Sequence, residues 1–396
     1  MSSQPKDDRA FRRRVESIVD AVRRGGDRAL NRFVRRYDGA AAPLEMAPAE
    51  IRSAARRVEP AVRRAIAQAA EHIARVASKQ IPAHFDVRVA PGVVVEQRVE
   101  PLRSVGCYVP GGRFPLPSSL LMTAVPAHVA GVREIVAACP RPDPVVMAAA
   151  LEAGVTRLFR MGGAHAVAAL AYGTRTVPRV DKIVGPGNRF VATAKAIVAG
   201  DCAIDFYAGP TEVLLVAGAG RAEWIAADLV AQAEHDPEAR AVLITWSRPL
   251  AERVAAAVDR ASRGREIVER SLAAHGAIVV TRTAREAMAL ANRFAPEHLV
   301  LDRESLARGP IVAGAVFIGE YTAQAAGDYA IGSNHVLPTG GAARARGGLS
   351  AADFMRVMSV QRVTRPGLRR IAAAAVPLAR AEGLVGHAES IEIRLK

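Results

Sequence analysis

The sequence predicts an α/β protein built on two parallel sheets. Between about residues 100 and 320, apolar runs of strand length alternate with Ala-rich segments of helical character. That alternation marks strands buried on both faces by crossover helices. The region is too long for one compact five-strand unit, so it divides into two sheets. Glycine turns, notably GPGNRF at Gly185–Phe190, join predicted strand to predicted helix.

In chain order, residues 1–80 read as helices. Val15, Ile18, Val19, Val22, Leu30, Phe33 and Val34 follow helical spacing, with a break at Gly25–Gly26 and an end at Gly39. A second helix is predicted from about Pro48 to Lys79, opening on a proline. From Val87 the texture turns β-rich with Gly/Pro turns. REIVAAC, RLFRM, KIVGPG, EVLLVAG, AVLITWS, AIVVTR and HLVLD are the strand candidates that follow. Residues 350–396 are predicted to return to helix (AADFMRVMSVQR, then GLRRIAAAAVPLARAEGL) and to finish on a strand-like ESIEIRL.

Composition narrows the function. Net charge is +15, carried almost wholly by arginine, yet the arginines are scattered and aromatics make up only 5%. The side chains that stack on bases are therefore scarce, which argues against a nucleic-acid binder. Cys107, Cys139 and Cys202 have no CxxC spacing, which suits a reducing compartment rather than a disulfide framework or a Cys-rich zinc site. No apolar run reaches the roughly 18 residues of a membrane helix, and the charged start MSSQPKDDRAFRRRVE is no secretory signal. The expectation is a cytoplasmic protein with no membrane and no nucleic-acid partner.

Several motifs carry chemistry. GPGNRF follows a predicted strand and opens a helix, where free backbone N–H groups favour a phosphate; an ordinary tight turn is the alternative. Tyr108-Val-Pro-Gly-Gly112 is a second such turn. Gln232 and His235, three apart at a helix end, can reach one point together, as metal ligands or as structural groups. In Ala295-Pro-Glu-His298 the adjacent Glu297 and His298 point differently and can serve different steps, His298 as proton acceptor from an alcohol and Glu297 in orienting or activating water; a helix-to-strand turn with a buried His is the alternative. The glycine-punctuated run GDYAIGSNHVLPT (Gly327–Thr339) reads as a loop offering Asp328 and His335, and Glu382 and His387 stand together near the C-terminus.

In order, YVPGG (108–112), GGAHAVAALAYGT (162–174), VDKIVGPGN (180–188), AGPTEVL (208–214), AQAEHD (231–236), FAPEHL (294–299), GDYAIGSNHVLPT (327–339), GGLS (347–350) and EGLVGHA (382–388) resemble the histidinol dehydrogenase family. The resemblance implies two incomplete Rossmann-like parallel-sheet domains plus small extended N- and C-terminal segments, in a homodimer that exchanges those segments. It implies an N-terminal helical arm over 1–20, a first Rossmann-like domain of 21–106 with 212–348, a second of 107–211 holding the NAD-binding turns, and a dimerisation segment over 349–396. It implies one zinc ion per subunit, NAD as hydride acceptor, and oxidation of L-histidinol to L-histidine through L-histidinal.

By position, the resemblance makes Gln232, His235, Asp328 and His387 the zinc ligands, with His387 arriving from the partner subunit. It makes Glu297 and His298 the catalytic pair. Substrate binding falls to Thr211, Gln232, His235, His298, Asp328, His335, Glu382 and His387, with Thr211 where the family has Ser. Cofactor binding falls to Tyr108, Asn188 and His165, the last where the family commonly has Gln. Ala323-Gln324-Ala325 stands where the family usually reads PES, and Gly340 where PTYG has its Tyr. A related dehydrogenase acting on another small polar alcohol, such as a sulfonated diol, is the alternative. A zinc-bearing protein without catalysis is a third reading.

Overall fold

The computed structural model describes residues 9–111, 114–207 and 209–396. Gly112 and Ala208, inside two of the motifs above, and the first eight residues of the predicted arm lie outside the described residues. The chain divides into two units. The first is the chain up to Lys79 together with Arg103–Phe354; the second is Gln80–Leu102 with Met355–Lys396.

The first unit opens with α1 (Arg9–Phe33), which bends at Gly26, where φ is 51°, within the predicted glycine pair. The single helix predicted over 48–79 is two, α2 (Pro48–Arg56) and α3 (Pro60–Ser78). The physical reason is Pro60, which lacks the N–H that a continuous helix would use and instead starts a new one.

Next in the chain come β1 (Phe85–Ala90) and β2 (Val93–Pro101), which belong to the second unit. The chain then returns to the first unit with β3 (Ser104–Tyr108), α4 (Pro117–Val129), β4 (Glu134–Ala138), α5 (Pro144–Glu152), β5 (Arg157–Phe159), α6 (Gly163–Tyr172), β6 (Lys182–Val184), α7 (Arg189–Val198) and β7 (Ala203–Ile204). These strands form a parallel sheet of order β5-β4-β3-β6-β7. Val15, Val19, Val22 and Leu30 of α1 pack into the core of this sheet with Phe159, Val167 and Leu170. In the structure α1 packs on α6 and α7, and α2 and α3 pack on α5 and α4.

A second parallel sheet follows: β8 (Glu212–Val216), α8 (Ala222–Ala233), β9 (Arg240–Thr245), α9 (Arg248–Ser262), α10 (Glu266–His275), β10 (Ala277–Val280), α11 (Ala284–Phe294), β11 (His298–Leu301) and β12 (Ala315–Ile318), in the order β10-β9-β8-β11-β12. In both sheets the first strand lies in the middle. The chain winds outward on one side and then crosses to the other, as in a doubly wound fold. β8 is buried throughout, its two faces packing into separate apolar clusters. That is why EVLLV reads as a continuous apolar run. One helical turn, α12 (Gln324–Gly327), then leads into the 327–339 loop.

The second unit is completed by β13 (Met355–Val363), α13 (Arg365–Ala381) and α14 (Val385–Glu392). Two expectations for the tail are corrected here. In AADFMRVMSVQR only Ala351–Phe354 is helical, a short 3-10 turn; from Met355 the chain is strand, and β13 pairs antiparallel with β2 over nine residues, from Met355↔Pro101 to Val363↔Val93, and β2 pairs in turn with β1. A partner 262 positions away in sequence outweighs local helix propensity. ESIEIRL is not a strand: α14 runs to Glu392, packed on α13, because no strand partner meets it. No helix among the described residues is long and apolar enough to cross a membrane. The three cysteines are buried and unpaired, and burial pushes their thiols up, Cys107 to about 12.

Candidate active site

The second sheet brings seven of the predicted residues to its amino edge. Thr211 and Glu297 immediately precede β8 and β11, and His298 opens β11. The parallel pairing sets Val213 opposite His298, so the starts of the two strands lie side by side. α8 runs back along the sheet and delivers Gln232 in its last turn and His235 just beyond. Ala295, with φ of 55°, ends α11 in a left-handed turn that swings Glu297 into position.

Glu297 is buried, and its Oε2 accepts from the Thr211 hydroxyl at 2.6 Å and from Glu212 N at 2.8 Å. Both bonds favour the ionised form, yet burial outweighs them and pushes the carboxyl up to about 8, with the Glu212 and Asp328 charges adding to the rise. His298 is also buried. Its Nδ1 lies 3.0 Å from the Glu212 carbonyl, an acceptor only, so Nδ1 carries the proton and Nε2 is the free base. Burial lowers the His298 pKa, against the pull of Asp328, and keeps the ring neutral. Nε2 looks toward Asp328 Oδ1 at 3.9 Å, and Nδ1 lies 3.6 Å from Glu297 Oε2.

Asp328 ends α12. Gln324 Nε2 donates to its Oδ2 at 3.1 Å, and His335 Nδ1 donates to its carbonyl at 3.1 Å. Burial lowers the His335 pKa too, with the nearby His235 contributing in the same sense. Gln232 is fully buried; its Nε2 donates to Thr211 Oγ1 at 2.7 Å, while its Oε1 is buried without a hydrogen-bond partner. His235 directs Nδ1 at the Ala231 and Gln232 carbonyls, at 3.1 and 3.3 Å, which leaves Nε2 as the nitrogen that could ligate.

Among the described residues no three His, Cys, Asp or Glu side chains are grouped to hold a metal ion. The donor set nevertheless suits one in chemistry. An orphaned amide oxygen on Gln232, an imidazole nitrogen on His235 and an anchored carboxylate on Asp328 could supply three ligands from one chain. Glu382 and His387 belong to the second unit, at the end of α13 and within α14, and both are exposed there.

The predicted cofactor residues gather at the opposite edge of the first sheet. Tyr108 ends β3, His165 lies in the first turn of α6 and Asn188 caps α7. All three line one cavity of about 460 Å³, with Arg14, Asp38 and Arg141. It sits at the carboxyl ends of β3 and β4, beside the point where the winding of the sheet reverses, the usual place for a dinucleotide. Gly185, with φ of 114°, opens the glycine turn there; a Cβ on it would come within 2.3 Å of the Tyr108 carbonyl, so glycine is required.

His165 is buried, with Nε2 at 2.8 Å from Asp38 Oδ2, and its ring stacks on Phe33 and Tyr37. The same Asp38 oxygen accepts from Gly162 N, and Tyr108 OH accepts from Gly163 N, so both hold the start of α6. Sequence reasoning missed Asp38, Glu212 and Gln324. Asp38 is 127 positions from His165, and only the packing of α1 on this sheet brings them together. Gln324 carried a signal, as the middle residue of the stretch that departs from the PES pattern.

A sequence model of the histidinol dehydrogenase family matches residues 1–395. The chain belongs to the histidinol dehydrogenase family. It is 45% identical to histidinol dehydrogenase of Methanothermobacter thermautotrophicus over 396 residues, covering 96% of this chain and 93% of that one. It is 47% identical to that of Thermus thermophilus over 388 residues, covering 96% and 93%. A solved structure of histidinol dehydrogenase from Elizabethkingia anophelis superposes with a TM-score of 0.93 at 32% identity, covering 97% of this chain and 92% of that one. The family makes the chain an oxidoreductase of histidine biosynthesis.

Proposed function

We propose that this chain oxidises L-histidinol to L-histidine through bound L-histidinal, with zinc and NAD, in a homodimer in the cytoplasm. The observation that carries the reading is the buried Glu297–His298 pair, with the His298 Nε2 unprotonated beside Asp328 and the unpartnered Gln232 Oε1 close by. Gln232, His235 and Asp328 would hold the ion, joined by His387 from the partner subunit. The exposed apolar residues of the second unit, Val357, Leu378, Leu384, Val385 and Ile393, suit such an exchange. When bound, zinc supplies a Lewis-acid anchor for the substrate nitrogens and NAD supplies the hydride acceptor.

His298 Nε2 takes the hydroxyl proton as the carbinol hydride departs, and general-base help of this kind is worth about 10²–10⁴-fold. Glu297, high in pKa and so a strong base once ionised, withdraws a proton from the water that adds to the aldehyde. His298 serves again as the hydrate loses its hydride. His335 and Glu382 bind the substrate. Tyr108, His165 and Asn188 contact the dinucleotide in the first sheet's cavity.

The test is stoichiometry. Purified protein with zinc should form two NADH per L-histidinol consumed and should lose activity on dialysis against a chelator until zinc is restored. One NADH per substrate, or full activity in a metal-free sample, would refute the reading. Activity on another polar alcohol, with none on histidinol, would favour the paralogous dehydrogenase.

A further inference from the structure

We infer that Thr211 is a positioning residue, whose hydroxyl fixes the Gln232 amide with Oε1 free to ligate and ties that ligand to the Glu297 carboxyl. The inference rests on the zinc reading above and adds an orienting role to the substrate contact expected of Thr211.

The argument is one of hydrogen-bond polarity. A hydroxyl has a single proton and two lone pairs. Glu297 Oε2 already accepts from Glu212 N at 2.8 Å, so whether the carboxyl is ionised or carries its proton on Oε1, the Thr211 proton goes to Oε2 across 2.6 Å. Thr211 Oγ1 therefore turns a lone pair toward Gln232, 2.7 Å away, and only an N–H can meet it there. The flipped amide would set oxygen against oxygen. Gln232 is fully buried, so no solvent stands in for the Thr211 partner if the amide flips. Its Oε1 is thus held away from Thr211 without a partner, a buried orphan acceptor that is costly until a ligand engages it.

Residue type adds to the effect. Threonine is β-branched and stiff at χ1, so the hydroxyl stays aimed between the two partners. The base and the metal ligand are thereby linked by one side chain, in the manner of outer-shell partners that orient ligands at metal sites.

The experiment uses the full chain stripped of metal, with zinc affinity measured by competition with a chromogenic chelator. T211V removes the hydroxyl at constant shape and should weaken zinc binding about 10–100-fold. T211A carries the same expectation should the valine variant fail to fold. T211S keeps the hydroxyl and should remain within about threefold of wild type. In steady-state assays of the zinc-loaded variants, T211V should lower kcat more than it raises KM for histidinol. Unchanged zinc affinity with a raised KM would assign Thr211 to direct substrate contact alone and overturn the inference. A serine variant as impaired as valine would overturn it as well. A wild-type chain that binds no zinc defeats the zinc reading itself, a separate outcome.

Discussion

The ion pair beneath the glycine turn of the first sheet offers a sharp test. Lys195 and Asp205 are 3% and 1% exposed and are paired with each other. Lys195 Nζ also donates to the Gly185 carbonyl at 3.0 Å, while Asp205 Oδ2 accepts from Gly185 N at 2.8 Å and Oδ1 from Phe206 N at 2.6 Å. Both polar groups of Gly185 are thus held by the pair. In K195M the Asp205 charge stays buried without its counter-ion, a loss of about 3–5 kcal/mol. The two backbone donors still serve Asp205, so the lower figure applies.

For a domain of this size, roughly 2–4 °C per kcal/mol gives a fall in Tm of roughly 6–12 °C, read by scanning calorimetry. K195M/D205N removes both charges and should recover about half of that loss; with D205N alone also costing about 3 kcal/mol, the double-mutant cycle gives a coupling of roughly 4.5 kcal/mol. KM for NAD should rise in K195M, because the turn leading to Asn188 loses its anchor. A Tm within about 2 °C of wild type, or strict additivity in the cycle, would show that the pair neither stabilises nor shapes the turn.

Other outcomes are equally direct. E297Q keeps the shape of the side chain and an acceptor for Thr211 and Glu212 N; it should slow the aldehyde-oxidising step about 10²–10⁴-fold, so that a single turnover yields one NADH rapidly and the second slowly. H298N should lower kcat for the first oxidation by a similar about 10²–10⁴-fold, and a near-normal rate at saturating substrate would remove His298 as the base. Burial pushes the Asp228 carboxyl up to about 6, so the folded chain binds this proton more tightly than the unfolded one does. Stability then falls as pH rises from about 4, the unfolded value, through about 6. D228N should therefore raise stability at pH 7 by roughly 1–2 kcal/mol, discounted for partial exposure, and the gain should vanish below about pH 4, as Tm measured against pH would show.

Much of the fold was legible because buried parallel strands announce themselves. KIV, EVLLV and HLVL are short apolar runs bounded by glycine, proline or charge, and each became a strand. The Gln232–His235 spacing was legible for a similar reason, since helical geometry alone puts residues three apart on one face. The tail was not, because MRVMSVQRV is a strand only by virtue of β2, and pairing with a distant segment leaves little local trace.

The sequence by itself determined the two-sheet α/β class, the alternation of elements and, through its ordered motifs, the family. Those are local patterns, set by periodicity, turn chemistry and residue type. Tertiary structure alone decided that Thr211, Gln232, Glu297, His298 and Asp328 meet at the amino edge of one sheet, and that the cavity of Tyr108, His165 and Asn188 opens at the carboxyl edge of the other. It also decided that His165 finds its partner in Asp38, and that Thr211 stands between Glu297 and Gln232. Those contacts join residues tens to more than a hundred positions apart, and burial then sets their protonation. No local pattern encodes how deeply a side chain will be removed from water.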